Sequence, residues 1–293
     1  MKKNRKKTIK RARKQVYILG IRVDSTSKDR LLTAVESKIS HNSKFYILTP
    51  NPELILASTK DNKLRDALNS GDFSVPDGIG LAQASRFLSL PLIGIKLLDI
   101  VISFFYGLAV GISTFVYQKW LIDSLNIIHG RRLFLDLVRL AHKNEWRIFF
   151  LGGLDDEAER AAKKLGAGFA PGPKLNKNGE PASEAEERVE AYSIRKIDEF
   201  RPDLLFVAFG NPKQEIWINK NLARLNTGGA MAVGGTFRYV SGYAKLPPAW
   251  LEKFELEWLW RIVTEPFRLG RTINAVVVFP FKVWMYRLSQ KSV

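Results

Sequence analysis

Several short polar or glycine-rich clusters follow apolar runs in this 293-residue chain, and each carries groups that can act on a ligand. Asp77, between Pro76 and Gly78, is a carboxylate able to take a proton from a hydroxyl, and Gly78 and Gly80 leave room for close approach to the backbone. The same residue would also suit the cap of a helix beginning near Ile79. Thr49 and Asn51, on either side of Pro50, offer hydrogen-bond donors and acceptors, although residues of this kind beside prolines also make turns. The glycine pairs Gly152-Gly153 and Gly234-Gly235, the latter followed by Thr236, would let backbone amides approach phosphate at helix N-termini. Singly, such pairs are ordinary turns.

The longest of these clusters is Gly210-Asn211-Pro212-Lys213-Gln214-Glu215, behind the apolar run of residues 204–209. That run suits a strand covered on both faces, and Pro212 suits the first turn of a following helix. Lys213 can offset anionic charge, though a lysine at a helix start is more often solvated.

The elements that must position these groups alternate along the chain. Residues 16–23 read as a strand, 28–39 as an amphipathic helix, 45–48 as a strand, 53–68 as helical and 72–75 as a brief strand. Further on, 147–151 reads as a strand, 156–165 as a helix, 166–181 as a loop followed by a charged helix to 200, and 230–233 as a final strand. Such alternation predicts an α/β fold, a mostly parallel, doubly wound, Rossmann-like sheet with helices on both faces. The polar clusters then converge on the crevice outside the carboxyl ends of the strands, where open sheets of this kind bind ligands.

Composition narrows the classes. With 46% hydrophobic residues the chain can fill a sizeable core, which excludes wholesale disorder. It has no cysteine, which excludes a disulfide framework and fits a reducing compartment. His41, His129 and His142 lack ligand spacing, and no Asp-x-Asp ends an apolar strand, so neither a metal nor another cofactor is expected. The net charge of +17 is concentrated at the start, where nine cations from Lys2 to Lys14 precede any acid. Residues 1–15 therefore read as a basic disordered tail attracted to polyanions, either nucleic acid or anionic lipid.

Taken in order, Thr49-Pro-Asn-Pro-Glu53, Asp72 to Gly80, Phe150-Leu-Gly-Gly153, Gly210 to Glu215, Val233-Gly-Gly-Thr-Phe237 and Leu256-Glu-Trp-Leu-Trp-Arg261 with Glu265-Pro266 resemble the WecG/TagA/CpsF glycosyltransferases. The resemblance runs from about residue 16 to 271. It implies a membrane-associated inverting enzyme that moves a sugar, typically N-acetylmannosamine, from a UDP donor to a polyprenyl-diphosphate-linked acceptor for cell-surface polysaccharide or teichoic-acid-type polymers. It also implies that Asp77 is the general base, with Thr49 and Asn51 beside it. Gly78, Gly152, Gly153, Gly210, Asn211, Lys213, Gln214, Glu215, Gly234, Gly235 and Thr236 would then bind substrate, with Gln214 the expected contact for a uracil edge or a sugar hydroxyl. Arg261, Arg268 and Arg271 lie near one helix face, and guanidinium forks suit diphosphate oxygens. The resemblance places these three on a C-terminal appendage that closes over the site at the membrane.

The expected domains are the tail at 1–15, a transferase core at 16–245 with an apolar insertion at about 95–127, and a membrane-proximal helical appendage at 246–293. The appendage interleaves Trp250, Trp258, Trp260, Phe267, Phe279, Phe281, Trp284 and Tyr286 with basic residues, as at headgroup depth. Residues 97–117 are about long enough to cross a bilayer, but a single span would put two halves of one sheet on opposite sides of it. An in-plane amphipathic helix or a hairpin dipping into one leaflet is expected, against a buried or dimer-forming helix. Localisation follows as peripheral or monotopic at the cytoplasmic membrane face, with an anionic membrane surface as partner, a homo-oligomer compatible and nucleic acid not expected.

At His129-Gly130-Arg131-Arg132-Leu133, where the family carries Thr-Gly-x-Asp-Leu, an acid is lost and a cation gained, which leaves the donor sugar open. Two other readings compete. A nucleotide-dependent oxidoreductase rests only on Gly166-x-Gly168, which follows a helical segment and lacks the full glycine fingerprint. A polyanion-binding protein rests on the basic tail.

Overall fold

A computed structural model of the protein describes residues 14–265 and 269–290, without the side chains of Lys253 and Arg261. The basic residues 2–13, Pro266, Phe267 and Arg268 lie outside the described residues.

The chain opens with a hairpin, β1 (Lys14–Ile18) and β2 (Ile21–Ser25), paired antiparallel. Residues 16–23, expected as one strand, therefore fold back on themselves. The turn falls at Leu19 and Gly20, both with positive φ (50° and 83°), as a tight two-residue hairpin turn needs. Strand periodicity cannot register such a turn when its first residue is an apolar leucine.

After α1 (Lys28–Ser40) come β3 (Phe45–Leu48), α2 (Pro52–Ser58), α3 (Asn62–Ser70) and β4 (Phe73–Ser74). The helical stretch expected at 53–68 is two helices, because the Asp61 side chain caps a second start by accepting from the Leu64 amide at 3.1 Å. Then follow α4 (Ile79–Ser89), α5 (Lys96–Val116), α6 (Gln118–Ile122) and α7 (Gly130–Lys143). The sheet resumes with β5 (Ile148–Gly152), α8 (Glu157–Leu165), β6 (Gly168–Ala170), α9 (Glu184–Phe200), β7 (Leu204–Ala208), α10 (Lys213–Asn221), β8 (Gly229–Ala232) and α11 (Thr236–Ser241). Strand β6 lies within the segment expected to be loop.

The six strands β3 to β8 form one all-parallel sheet in the order β4-β3-β8-β7-β5-β6. Alternate side chains of each strand enter two separate cores. Phe149, Leu151, Leu205 and Val207 pack on one face, and Ile148, Phe150, Leu204 and Phe206 on the other. That double burial explains the unbroken apolar runs and confirms the doubly wound fold. On the second face Phe134 packs edge-on against Phe206, with ring centroids 4.8 Å apart, fixing α7 against the sheet. Strand β3 has β4 on one side and β8 on the other, so the connections change direction about it and open a crevice at the carboxyl ends.

The C-terminal part is helical: α12 (Ala249–Lys253), α13 (Glu257–Thr264), α14 (Leu269–Ile273), a π-helical turn at Asn274–Val278 and α15 (Phe279–Ser289). Helix α15 packs back on α2, α4 and α5. The buried Arg287 guanidinium holds it there by donating to the carbonyls of Phe87, Leu90 and Pro91 at the C-terminal end of α4, and by stacking on Phe87 and Tyr106.

Helix α5 is long and apolar enough to cross a membrane. It is one continuous helix, so the hairpin alternative fails. Its polarity is inverted: Asp99, Ser103, Ser113 and Thr114 are buried, while Leu97, Val101, Phe105, Ile112 and Val116 are exposed. Three of the inner groups are satisfied locally, while the buried Ser103 hydroxyl has no hydrogen-bond partner among the described residues. The Asp99 carboxylate accepts from the amides of Ile93 and Gly94 at 2.8 and 3.1 Å, and the Thr114 hydroxyl accepts from Gln83 Nε2. An amphipathic helix is present, but its polar face meets protein rather than water.

Candidate active site

The amide of Asp77 donates to the Pro50 carbonyl at 2.9 Å, joining the exit of β4 to the exit of β3. Helix α4 starts behind Gly78, whose φ is 93°, and it has no side-chain cap. The Asp77 carboxylate is therefore not a helix cap. It faces His129, whose Nδ1 lies 3.7 Å from Asp77 Oδ1, while the other ring nitrogen, Nε2, lies 3.1 Å from Glu255 Oε1. The facing Asp77 carboxylate, then the hydrogen bond to Glu255, raises the His129 pKa from 6.5 to about 10 despite its partial burial. At neutral pH the ring is an imidazolium between two carboxylates.

Gly130 explains how the groups around Asp77 come so close. A Cβ at this position would lie 3.3 Å from Thr49 Oγ1 and 3.4 Å from Asp77 Oδ2. A side chain here would be in close contact with both polar groups, so Gly130 marks the point where Thr49 and Asp77 meet the start of α7. Asn51 stands at the same strand end, but its side-chain oxygen accepts from the Leu54 amide at 2.9 Å and caps α2.

Arg131 and Arg132 occupy the first turn of α7, where the helix dipole disfavours cations. Acids from the C-terminal segment offset this. Arg131 pairs with Glu252 and, at 3.2 Å, with Glu257, and Arg132 pairs with Glu252 at 2.9 Å. The Arg131 guanidinium also lies 5.1 Å from the Tyr239 ring centroid. The cations that depart from the family pattern at 129–132 thus have counterparts more than a hundred residues later. Sequence reading did not single out Glu252, Glu255 or Glu257; their only signal was an acid spacing of three and two residues beside that departure.

A cavity of about 800 Å³ opens at this point. Its polar lining includes Asn51, Glu53, Asp77, His129, Glu255 and Arg271, and most of the remainder is apolar surface from α5 and the C-terminal helices. Arg271, expected to meet diphosphate, is paired through Nε with Glu53 on α2. Arg261 lies on α13 without a described side chain, Arg271 lies on the separate helix α14, so the two do not share the one helix face expected of them, and Arg268 lies outside the described residues.

The remaining expected substrate groups gather at the ends of β5, β7 and β8 and do not line that cavity. Several are committed within the protein. Gln214 is buried; its Nε2 donates to Asn211 Oδ1 at 2.6 Å and Glu215 Oε1 at 2.8 Å, and its Oε1 accepts from the Gly234 amide at 3.1 Å. The expected contact is therefore, in this structure, a brace between the β7 and β8 loops. Lys213 donates to the Leu175 carbonyl, the Gly153 amide to the Ala208 carbonyl at 2.8 Å, and the Thr236 hydroxyl to the Val233 carbonyl at 2.6 Å. Gly152 lets Phe209 approach: a Cβ there would meet that ring at 2.8 Å. Gly210 and Gly235 face open space. Glu215 is buried beside Gln214, and desolvation raises its pKa from 4.5 to about 7 against the Gln214 hydrogen bond.

The chain matches the profile of the Glycosyl transferase WecG/TagA/CpsF family over residues 16–117 and 95–293. The two stretches overlap across α5. It is similar to the N-acetylglucosaminyldiphosphoundecaprenol N-acetyl-beta-D-mannosaminyltransferases of Staphylococcus aureus strains MRSA252 and NCTC 8325 / PS 47. Each is 25% identical over 271 residues, which is 92% of this chain and 92% of the relative.

Proposed function

This chain belongs to the WecG/TagA/CpsF family of glycosyltransferases, and from that premise we propose that it transfers an N-acetylhexosamine from a UDP-sugar to a polyprenyl-diphosphate-linked acceptor, with inversion. The observation that carries this reading is the position of Asp77: a carboxylate at a strand end, free of helix capping, in a cavity whose other walls are largely apolar. An acceptor with a sugar hydroxyl at one end and a hydrocarbon tail at the other suits both parts.

In the reaction, Asp77 takes the proton of the acceptor hydroxyl as its oxygen attacks the anomeric carbon of the donor. The bond from that carbon to the diphosphate oxygen breaks, and UDP leaves with the electron pair. Thr49, held against Gly130 beside Asp77, can hydrogen-bond the acceptor sugar. His129 touches the base and acts as a positioning residue. The open backbone at Gly210 and Gly235, at the ends of β7 and β8, is assigned to the donor. Arg261, Arg268 and Arg271 are assigned to acceptor diphosphate, with Arg271 exchanging Glu53 for it.

We place the enzyme at the cytoplasmic face of the membrane. The exposed apolar side chains of α5, together with exposed Trp250, Val263, Val277 and Phe281 of the C-terminal part, support contact with one leaflet.

The test is a donor screen with UDP-N-acetylhexosamines and an undecaprenyl-diphosphate-GlcNAc acceptor, followed by product analysis. Transfer of one sugar with inverted anomeric configuration is expected. Absence of transfer from every donor would overturn the reading.

A further inference from the structure

Helix α5 carries two apolar stripes with different surroundings. One, with Leu97, Val101, Phe105, Ile112 and Val116, faces outward; the other, with Phe104, Gly107, Leu108 and Gly111, lines the cavity that contains Asp77. Val276 and Trp284 belong to the C-terminal wall of that same cavity. At Gly107 and Gly111 a Cβ would meet nothing within 4 Å, so the absence of side chains there relieves no crowding. Glycine inside a helix costs stability relative to alanine, and two of them four residues apart leave a smooth channel on one helix face.

We propose that the channel between α5 and the C-terminal helices is the binding site for the first isoprene units of the acceptor's lipid tail. This rests on the reading of the acceptor as polyprenyl-linked. Its continuity with Asp77 sets the occupant: a chain running in the groove from its diphosphate brings the attached sugar to the base, whereas a bilayer acyl chain entering there would be joined to nothing that reacts. Arg271, in the same lining, stands where a diphosphate would sit between tail and sugar.

The experiment compares the full-length protein with Gly107→Leu and Gly111→Leu in one detergent. A Cβ has open space at both positions and leucine raises helix propensity, and circular dichroism and thermal melting verify that each variant keeps the fold. The probes are undecaprenyl diphosphate and dimethylallyl diphosphate, which carries a single isoprene unit, with no donor present. Wild type is expected to bind the longer probe at least tenfold more tightly, and either leucine is expected to weaken binding of that probe by about tenfold. Micelle partitioning of the probes cancels in the comparison of variants. Unchanged binding of the longer probe in both variants would mean that the groove is closed by protein or by bilayer lipid and would overturn the proposal. So would a wild type without chain-length preference. If the preference and its loss appear while no sugar transfer is found, the groove stands and the transferase reading fails.

Discussion

His129 Nδ1 lies 3.7 Å from Asp77 Oδ1, and the opposite edge of the same ring meets Glu255, so one imidazolium joins the carboxylate of the sheet to the C-terminal segment. The pair fixes where Asp77 points before any substrate arrives, and it makes the base sensitive to a group far away in sequence.

Asp77→Asn keeps the shape of the side chain and removes its basicity. The turnover number is expected to fall by roughly 10²–10⁴, with UDP-sugar affinity within about twofold of wild type. Steady-state kinetics with isothermal titration of the donor checks this; retained turnover would remove Asp77 from the role of base.

The raised His129 pKa makes a prediction about stability. Folding raises it from 6.5 to about 10, so its contribution is complete below pH 6.5 and is lost as pH rises through 10. Relative to wild type, His129→Gln should melt roughly 3–6 °C lower at pH 6, and the gap should close towards pH 10. A gap independent of pH would show that the ring acts through packing alone.

Glu215 has the opposite consequence. Burial lifts its pKa from 4.5 to about 7, so the folded state binds the proton more tightly than the unfolded chain, and stability is lost as pH rises from 4.5 through 7. Glu215→Gln should be more stable than wild type at pH 8, by on the order of 2 kcal/mol, with the advantage vanishing as pH falls to 4.5. Denaturant titrations at the two pH values measure it.

Arg271 and Glu53 are predicted to act in opposition. Arg271→Ala should raise the acceptor KM by about tenfold, because a guanidinium–diphosphate contact is lost. Glu53→Gln should lower it by two- to threefold by releasing Arg271. Changes in the same direction for both variants would mean that the pair only staples α14 to α2.

Arg287→Met tests the seat of the C-terminal helix. The change leaves the carbonyls of Phe87 and Leu90 without their buried donor, and a loss of about 2–4 kcal/mol is expected. The melting temperature and protease sensitivity after residue 245 are the readouts.

The parallel sheet was legible because its strands are buried on both faces, so Leu204–Ala208 and Ile148–Gly152 stand out as apolar runs. The hairpin at Leu19 was not, since its turn carries an apolar residue in a left-handed conformation. At the site, Asp77 was legible from its place behind a strand, and the structure removes the capping alternative. The commitment of Gln214 was not legible, because its partners Asn211 and Gly234 belong to two loops that only the fold brings together. Equally, α5 reads from sequence as an apolar segment, but which of its faces turns inward depends on its packing against α4, α6 and the distant α15.

The pairing of His129, Arg131 and Arg132 with Glu252, Glu255 and Glu257 makes two distant segments one electrostatic unit. A chimera that takes residues 129–132 from a relative bearing an acid at position 132 would set like charges face to face unless residues 252–257 came with them. An exchange at 129–132 therefore keeps its charge balance only as part of a matched set of sequence segments, not as one motif.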